Sequence, residues 1–289
     1  MSIEVTVKQT GIFKKELPLE VIWGNQLKYG NFDGLRLSEG ELGEDEFIAY
    51  HPAHIARGFS VTWKQGEREE VDLRLLTPTC QEELDDFYSC VTRIAGYWKH
   101  CVIELEGEPK KLQEFQSTRD DMLKFNLDVL HNMGKDESTL RAPLTLFCAF
   151  WPLVLGKEDL EELSKSTDLS AFRDYMHEKQ KLDVYYAKPS FYQDEEGIFG
   201  AYAITEETRS VFPVEPYVPM GITDPNTGEQ LKVDRWCISL FSITENRIVG
   251  RIDYGEFMNS VPEEMKTPYD AGNVIIEPIE LKMMKEMCE

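Results

Sequence analysis

The chain has no Gly-x-Gly-x-x-Gly, no Gly-x-x-x-x-Gly-Lys-Ser/Thr and no Gly-x-Ser-x-Gly. The common backbone cradles for phosphate and the sharp turn that presents a serine nucleophile are therefore excluded. Six cysteines, at 80, 90, 101, 148, 237 and 288, form no Cys-x-x-Cys pair, and the surroundings of Cys90, Cys101, Cys148 and Cys237 are apolar. That pattern predicts buried free thiols rather than a disulfide framework. The longest apolar run, 142–155, contains Pro143, Thr145 and Pro152. It falls short of the ~20 residues that span a bilayer. Met1-Ser-Ile-Glu-Val lacks a basic segment followed by an apolar one, so no signal peptide is expected and the cytoplasm is the natural compartment.

Positive charge is also scarce. Lysine and arginine number 31 against 53 aspartates and glutamates, a formal net charge of −22. Such a field repels phosphate backbones and anionic lipid surfaces, which argues against nucleic-acid and membrane partners. It attracts a cationic protein, chiefly by raising the association rate. The acid is distributed in short clusters such as 39–46, 82–86 and 158–162 rather than in a tail, as solvated faces of folded elements are. A nucleic-acid mimic would need carboxylates at phosphate spacing, which scattered clusters do not favour.

What the chain does have is material for a core: 42% of its 289 residues are hydrophobic and 11% aromatic. Residues 2–8 alternate through Ile3, Val5 and Val7 and predict a strand. Phe59, Val61 and Trp63, a turn at Gln65-Gly66, and Val71, Leu73 and Leu75 predict a hairpin. Thr79-Cys-Gln-Glu82 has capping-box spacing, and Leu84, Phe87, Tyr88, Val91, Ile94, Ala95 and Trp98 then share one helical face. Cys101, Ile103 and Leu105 alternate as a strand, and a long helix is expected from about Lys110 to Met133, stopped by Gly134. Short helices follow at 157–166 and 169–180, then strands at 184–187 and 198–204. Pro213, Pro216 and Pro219 space an extended segment. A hairpin turning at Glu245-Asn246, a strand at 274–276 and a helix after Pro278 close the chain. Hairpins beside amphipathic helices, without a regular βαβ alternation, predict an α+β fold with antiparallel sheets. The polar stretch 134–141 suggests two halves, 1–135 and 142–289, or one compact domain.

Four groups carry candidate chemistry. His51-Pro-Ala-His54 places two imidazoles three residues apart, as a shared metal would require, but no further ligands follow in pattern and the competing reading is a turn begun by Pro52. His177 follows Asp174 by three residues, so the carboxylate could orient the ring as a general base; a histidine in a last helical turn is equally favoured by the helix dipole alone. Asp224-Pro-Asn-Thr-Gly228 opens like a calcium loop but has Arg235 at position 12, so a plain turn is expected. The stretch 177–192 interleaves aromatics with cations. His177, Tyr185, Tyr186, Lys188 and Tyr192 are the candidate binding residues, since tyrosine is enriched at pockets and interfaces; a half-buried strand is the plainer alternative. No catalytic set, metal set or cofactor follows from these residues.

Several segments also resemble one family. Tyr175-Met-His-Glu-Lys-Gln180 followed by Asp183-Val-Tyr-Tyr-Ala-Lys-Pro-Ser-Phe-Tyr192 is similar to a signature of the bacterial family called domain of unknown function 4299. Arg57-Gly-Phe-Ser-Val-Thr-Trp63, Leu76-Thr-Pro-Thr79 with Asp85-Asp-Phe-Tyr88, and Leu155-Gly-Lys-Glu158 fit it as well. The resemblance implies a bacterial cytoplasmic protein of about this length and brings no activity or catalytic residues. The expectation is a non-enzymatic binding protein, in one version an immunity- or antitoxin-like partner of a basic protein. An enzyme with a pocket near 177–192 is the alternative.

Overall fold

A two-residue period buries alternate side chains of β1 (Ser2–Gln9), so Ile3, Val5 and Val7 are inaccessible while Glu4 is exposed. The structure, a computed structural model, describes residues 1–288. After β1 come α1 (Leu19–Trp23), β2 (Lys28–Phe32), β3 (Leu37–Glu39), β4 (Glu46–Tyr50), β5 (Phe59–Thr62) and β6 (Glu70–Leu76). Then follow α2 (Gln81–Trp98), β7 (Cys101–Leu105), β8 (Glu108–Lys110), α3 (Leu112–Ser117) and α4 (Arg119–Met133). β9 (Leu144–Leu146), β10 (Leu153–Leu155), α5 (Lys157–Leu163) and α6 (Ser170–Gln180) complete a first compact unit, Met1–Lys181.

Eight strands of this unit form one antiparallel sheet in the order β3-β2-β4-β5-β6-β1-β7-β8. The β5–β6 hairpin has the expected register, Phe59 opposite Leu75 and Val61 opposite Leu73. Gly66 takes φ +86° in its turn, a conformation other residues resist. The apolar face of α2 covers the sheet, and Phe87 meets Phe59 edge to face at 5.5 Å. Each such aromatic or aliphatic side chain contributes about 1.5–3 kcal/mol by leaving water.

Local chemistry moved three boundaries. α2 begins at Gln81 with Cys80 as its N-cap and no side-chain cap bond. Thr79 instead gives its hydroxyl to the buried Glu83 carboxylate. The long helix expected after 110 is split at Thr118, whose hydroxyl bonds the Phe115 carbonyl at 2.7 Å and the Tyr88 hydroxyl at 2.9 Å. A hydroxyl bonded to the preceding turn competes with the helix ladder. The units divide after Lys181, not across 134–141, because the apolar run 142–155 is tied back into the first unit. Ala149 N–H donates to the Ala56 carbonyl at 3.0 Å, and Leu37 N–H to Phe150 at 2.8 Å. Gly134 keeps a helical φ of −78°; it is glycine because a Cβ there would lie 2.0 Å from the Ser164 hydroxyl and 2.7 Å from the Leu160 carbonyl of α5.

The second unit, Leu182–Glu289, contains β11 (Tyr185–Tyr186), β12 (Ser190–Asp194), β13 (Gly197–Thr205), β14 (Ser210–Pro213), β15 (Arg235–Ser242) and β16 (Arg247–Asp253). α7 (Tyr254–Ser260), β17 (Lys266–Pro268), β18 (Asn273–Ile276) and α8 (Leu281–Glu286) follow. Two four-stranded sheets result, ordered β11-β14-β18-β17 and β12-β13-β15-β16. Phe212 and Ile276 from one and Tyr202, Ile204, Ile238 and Leu240 from the other share a core with Phe257 and Met284. Two pairings, β11 with β14 and β13 with β15, are parallel within otherwise antiparallel sheets. Both join strands across connections long enough to reverse direction twice. Asp253 caps α7 by accepting from Gly255 and Glu256 N–H at 2.8 and 3.1 Å. Asp224-Pro-Asn-Thr-Gly228 is a turn: the Asp224 carboxylate accepts Asn226 N–H at 2.7 Å, and Gly228 takes φ +71°.

No two cysteines are joined. Cys80, Cys90 and Cys148 are buried, Cys101 and Cys237 partly so, and Cys288 is exposed. Burial pushes the Cys90 thiol up to about 12 and raises Cys80 as well. Among the described residues no helix is long and apolar enough to cross a membrane.

Candidate functional site

The turn between β4 and β5 brings together histidines far apart in sequence. His51 and His54 stack face to face, with ring centroids 4.1 Å apart and planes 7° from parallel. His54 Nε2 meets the Asp86 carboxylate of α2 at 2.7 Å. From α6, His177 accepts Ile55 N–H on its Nδ1 at 3.1 Å. His51 likewise accepts Ala53 N–H on Nδ1 at 3.1 Å. Burial lowers His54, but the bonded Asp86 and the nearby Glu83 and Glu82 outweigh it and leave that imidazole raised. His51 is lowered by burial and by His54. His177 is lowered by burial, by Lys181 and by His54.

These bonds decide between the two chemistries that the histidine spacings suggest. A neutral ring that accepts a backbone N–H on Nδ1 carries its proton on Nε2. Nε2 then cannot ligate a metal, and Nδ1 is already used. Among the described residues no group of three His, Cys, Asp or Glu side chains is arranged to hold a metal ion. Asp174 does not orient His177. It bonds Arg173 at 2.8 Å, and Arg173 also reaches Glu82 of α2 at 2.5 Å.

Beneath the turn lies a buried polar anchor. Glu83 accepts Gly58 N–H at 2.5 Å, Arg57 N–H at 3.1 Å and the Thr79 hydroxyl. The Arg57 guanidinium donates to the Phe147 carbonyl at 2.8 Å and the Thr77 carbonyl at 3.0 Å. Burial raises the Glu83 carboxyl against the pull of these donors.

Of the five candidate binding residues, His177 belongs to the first unit, and Tyr185, Tyr186, Lys188 and Tyr192 belong to the second. Tyr186 is 3% exposed, and its hydroxyl is raised by burial and by Tyr217. Tyr185 is half-buried and packs against the second core, and Lys188 is exposed. Tyr192 is 52% exposed on β12. It stands in the other sheet from Tyr186 of β11.

Tyr192 has other company. Pairing sets Tyr192 opposite Phe199 and Phe199 opposite Arg235 across three strands. On β13 this row faces away from the core side chains Tyr202 and Ile204. Tyr192 stacks on Phe199 at 5.4 Å, and the Arg235 and Arg251 guanidinium groups lie 4.8 and 6.0 Å from the Phe199 ring centre. Asp194 pairs with Arg235. Arg251 makes no ion pair among the described residues, in a chain with 53 carboxylate side chains. The grouping of Phe199, Arg235 and Arg251 leaves no local trace in the sequence, because it arises only from the β13–β15 and β15–β16 pairings.

The architecture defines an α+β protein of two sheet-and-helix units, with an imidazole cluster in the first and an aromatic–guanidinium sheet face in the second. The chain belongs to the family described as Domain of unknown function (DUF4299), whose model matches residues 2–287. No curated protein and no solved structure matches it.

Proposed function

We propose that this is a non-enzymatic binding protein of the cytoplasm, and that the Tyr192–Phe199–Arg235–Arg251 face holds a protein partner. The observation that carries the reading is the half-exposed Tyr192 stacked on Phe199, with two guanidinium groups beside that ring. Tyrosine and arginine dominate interface energetics, and stacked rings offer contact area at small entropic cost. A net charge of −22 supports a partner that is basic overall, drawn in by long-range attraction and then fixed by the sheet face.

Capture of partners by the full chain, compared with Tyr192→Ala/Arg251→Ala at low and high salt, tests this. Loss of about 2 kcal/mol, roughly 30-fold in affinity, is expected for a paired hot spot. A partner set that is not basic, is insensitive to salt and is bound equally by the variant contradicts the reading. An enzyme is the alternative, and the His54–Asp86 bond favours it, since a carboxylate on one ring nitrogen is how a general base is oriented.

A further inference from the structure

Besides the backbone bond from Ala149 N–H to the Ala56 carbonyl, segment 51–56 makes two hydrogen bonds that each need a nitrogen lone pair, one within the turn and one to α6. Ala53 N–H points at His51 Nδ1 and Ile55 N–H at His177 Nδ1, both at 3.1 Å. A proton on either Nδ1 turns an attraction into two N–H groups facing each other. His54 lies between them in effect, stacked on His51 and close enough to His177 to act on its charge. The surrounding charges are Asp86, Glu82 and Glu83 from α2, Arg57 from the turn, and Arg173, Asp174, Glu178 and Lys181 from α6 or its end. Arg173 is already engaged by Glu82 and Asp174, and Asp86 by His54. No carboxylate among these bonds the His51 or His177 ring.

We propose that the three imidazoles form an acid-released clasp, in which protonation of His177 breaks the bond that ties segment 51–56 to α6, protonation of His51 loosens the turn from within, and His54 stays paired with Asp86. In the closed state His51 and His177 bind protons more weakly than an ordinary imidazole. Once open they regain the ordinary value of 6.5, so opening takes up protons and is favoured as pH falls. The release begins as pH drops through 6.5 and is complete below the lowered closed-state values of the two rings. His54 has the opposite sign. Its raised value makes the Asp86 pair fully present below 6.5 and weaker as pH rises through that raised value. The centre of the turn therefore holds to α2 while the bond inside the turn and the bond to α6 are given up.

Amide hydrogen exchange of the full chain at pH 7.5 and 5.5, corrected for intrinsic rates, tests the clasp. Each proton taken up changes the opening equilibrium by at most about tenfold per pH unit. Protection of Ala53 and Ile55 should fall by roughly ten- to a hundredfold at pH 5.5 while β1 and β6 keep theirs. His51→Asn/His177→Asn supplies amide oxygens at the Nδ1 positions that accept N–H and do not titrate. In that variant the pH response should vanish. Unchanged protection in the wild-type protein at pH 5.5, or an equal loss in the wild type and the double variant, overturns the proposal.

Discussion

Glu83→Ala should cost the first unit about 3–5 kcal/mol, the scale set by removing one partner from a buried ionic network. Alanine strands three donors at once: Gly58 N–H, Arg57 N–H and the Thr79 hydroxyl all give to this carboxylate. Each buried donor without an acceptor costs about 1–3 kcal/mol. The same change removes the negative charge nearest the buried Arg57, whose guanidinium is otherwise met only by carbonyls. Glu83→Gln keeps one acceptor oxygen and should lose about half as much, since its NH₂ then opposes one of the donors. The control is Glu82→Ala one residue earlier. That side chain is part-exposed and pairs with Arg173, so the cost should stay under about 1 kcal/mol. Urea unfolding followed by tryptophan fluorescence reads the difference, because Trp23, Trp63, Trp98 and Trp151 all lie in residues 1–181. Equal midpoints for Glu82→Ala and Glu83→Ala would show that the carboxylate anchors nothing.

Gly200→Val should destabilise the second unit by about 3 kcal/mol, the upper end for forced overpacking. A Cβ at Gly200 lands 2.2 Å from Trp236 Cζ3 and 2.3 Å from Cε3. The indole is Gly200's partner in the parallel β13–β15 pairing and is hemmed in by Phe191 at 5.9 Å and Tyr202 at 5.8 Å. It has nowhere to retreat without breaking those contacts. Trp236 is the one tryptophan after residue 181, so its emission reports the disturbance directly. Gly200→Ala should cost less, and Gly200→Ala with Trp236→Leu should cost less than the two single changes added, since removing the indole removes the clash. Strict additivity would mean that the glycine is there for another reason.

How much of this was legible beforehand differs by element. The alternation of Val71, Leu73 and Leu75 and the seven-residue stripe of α2 are period signals, and the strands and helix sit where those periods place them. Boundaries were legible only where the chain decides them locally. Thr79 has the spacing of a cap but binds Glu83, because a carboxylate buried beside Gly58 and Arg57 needs the hydroxyl more than the helix end does. Thr118 breaks a helix that looks continuous because Tyr88, thirty residues earlier, reaches its hydroxyl. The His51–His54 spacing was visible, but its meaning depends on Asp86 and on His177, which lies 122 residues from Ile55. Nothing periodic ties those positions together. The Tyr192 face was half visible: the tyrosine stands in an aromatic stretch, while Phe199, Arg235 and Arg251 reach it only through sheet register.

The cysteines give the molecule a chemical clock. Cys80 and Cys90 are sealed at the start and middle of α2, and burial keeps their thiols protonated well above neutral pH. An electrophile or oxidant needs the thiolate, so these two sulfurs are inert for as long as α2 stays seated on its sheet. Cys288 lies exposed near the other end of the chain. Modification of the first pair therefore requires α2 to leave its sheet, whereas Cys288 can be reached without such an opening.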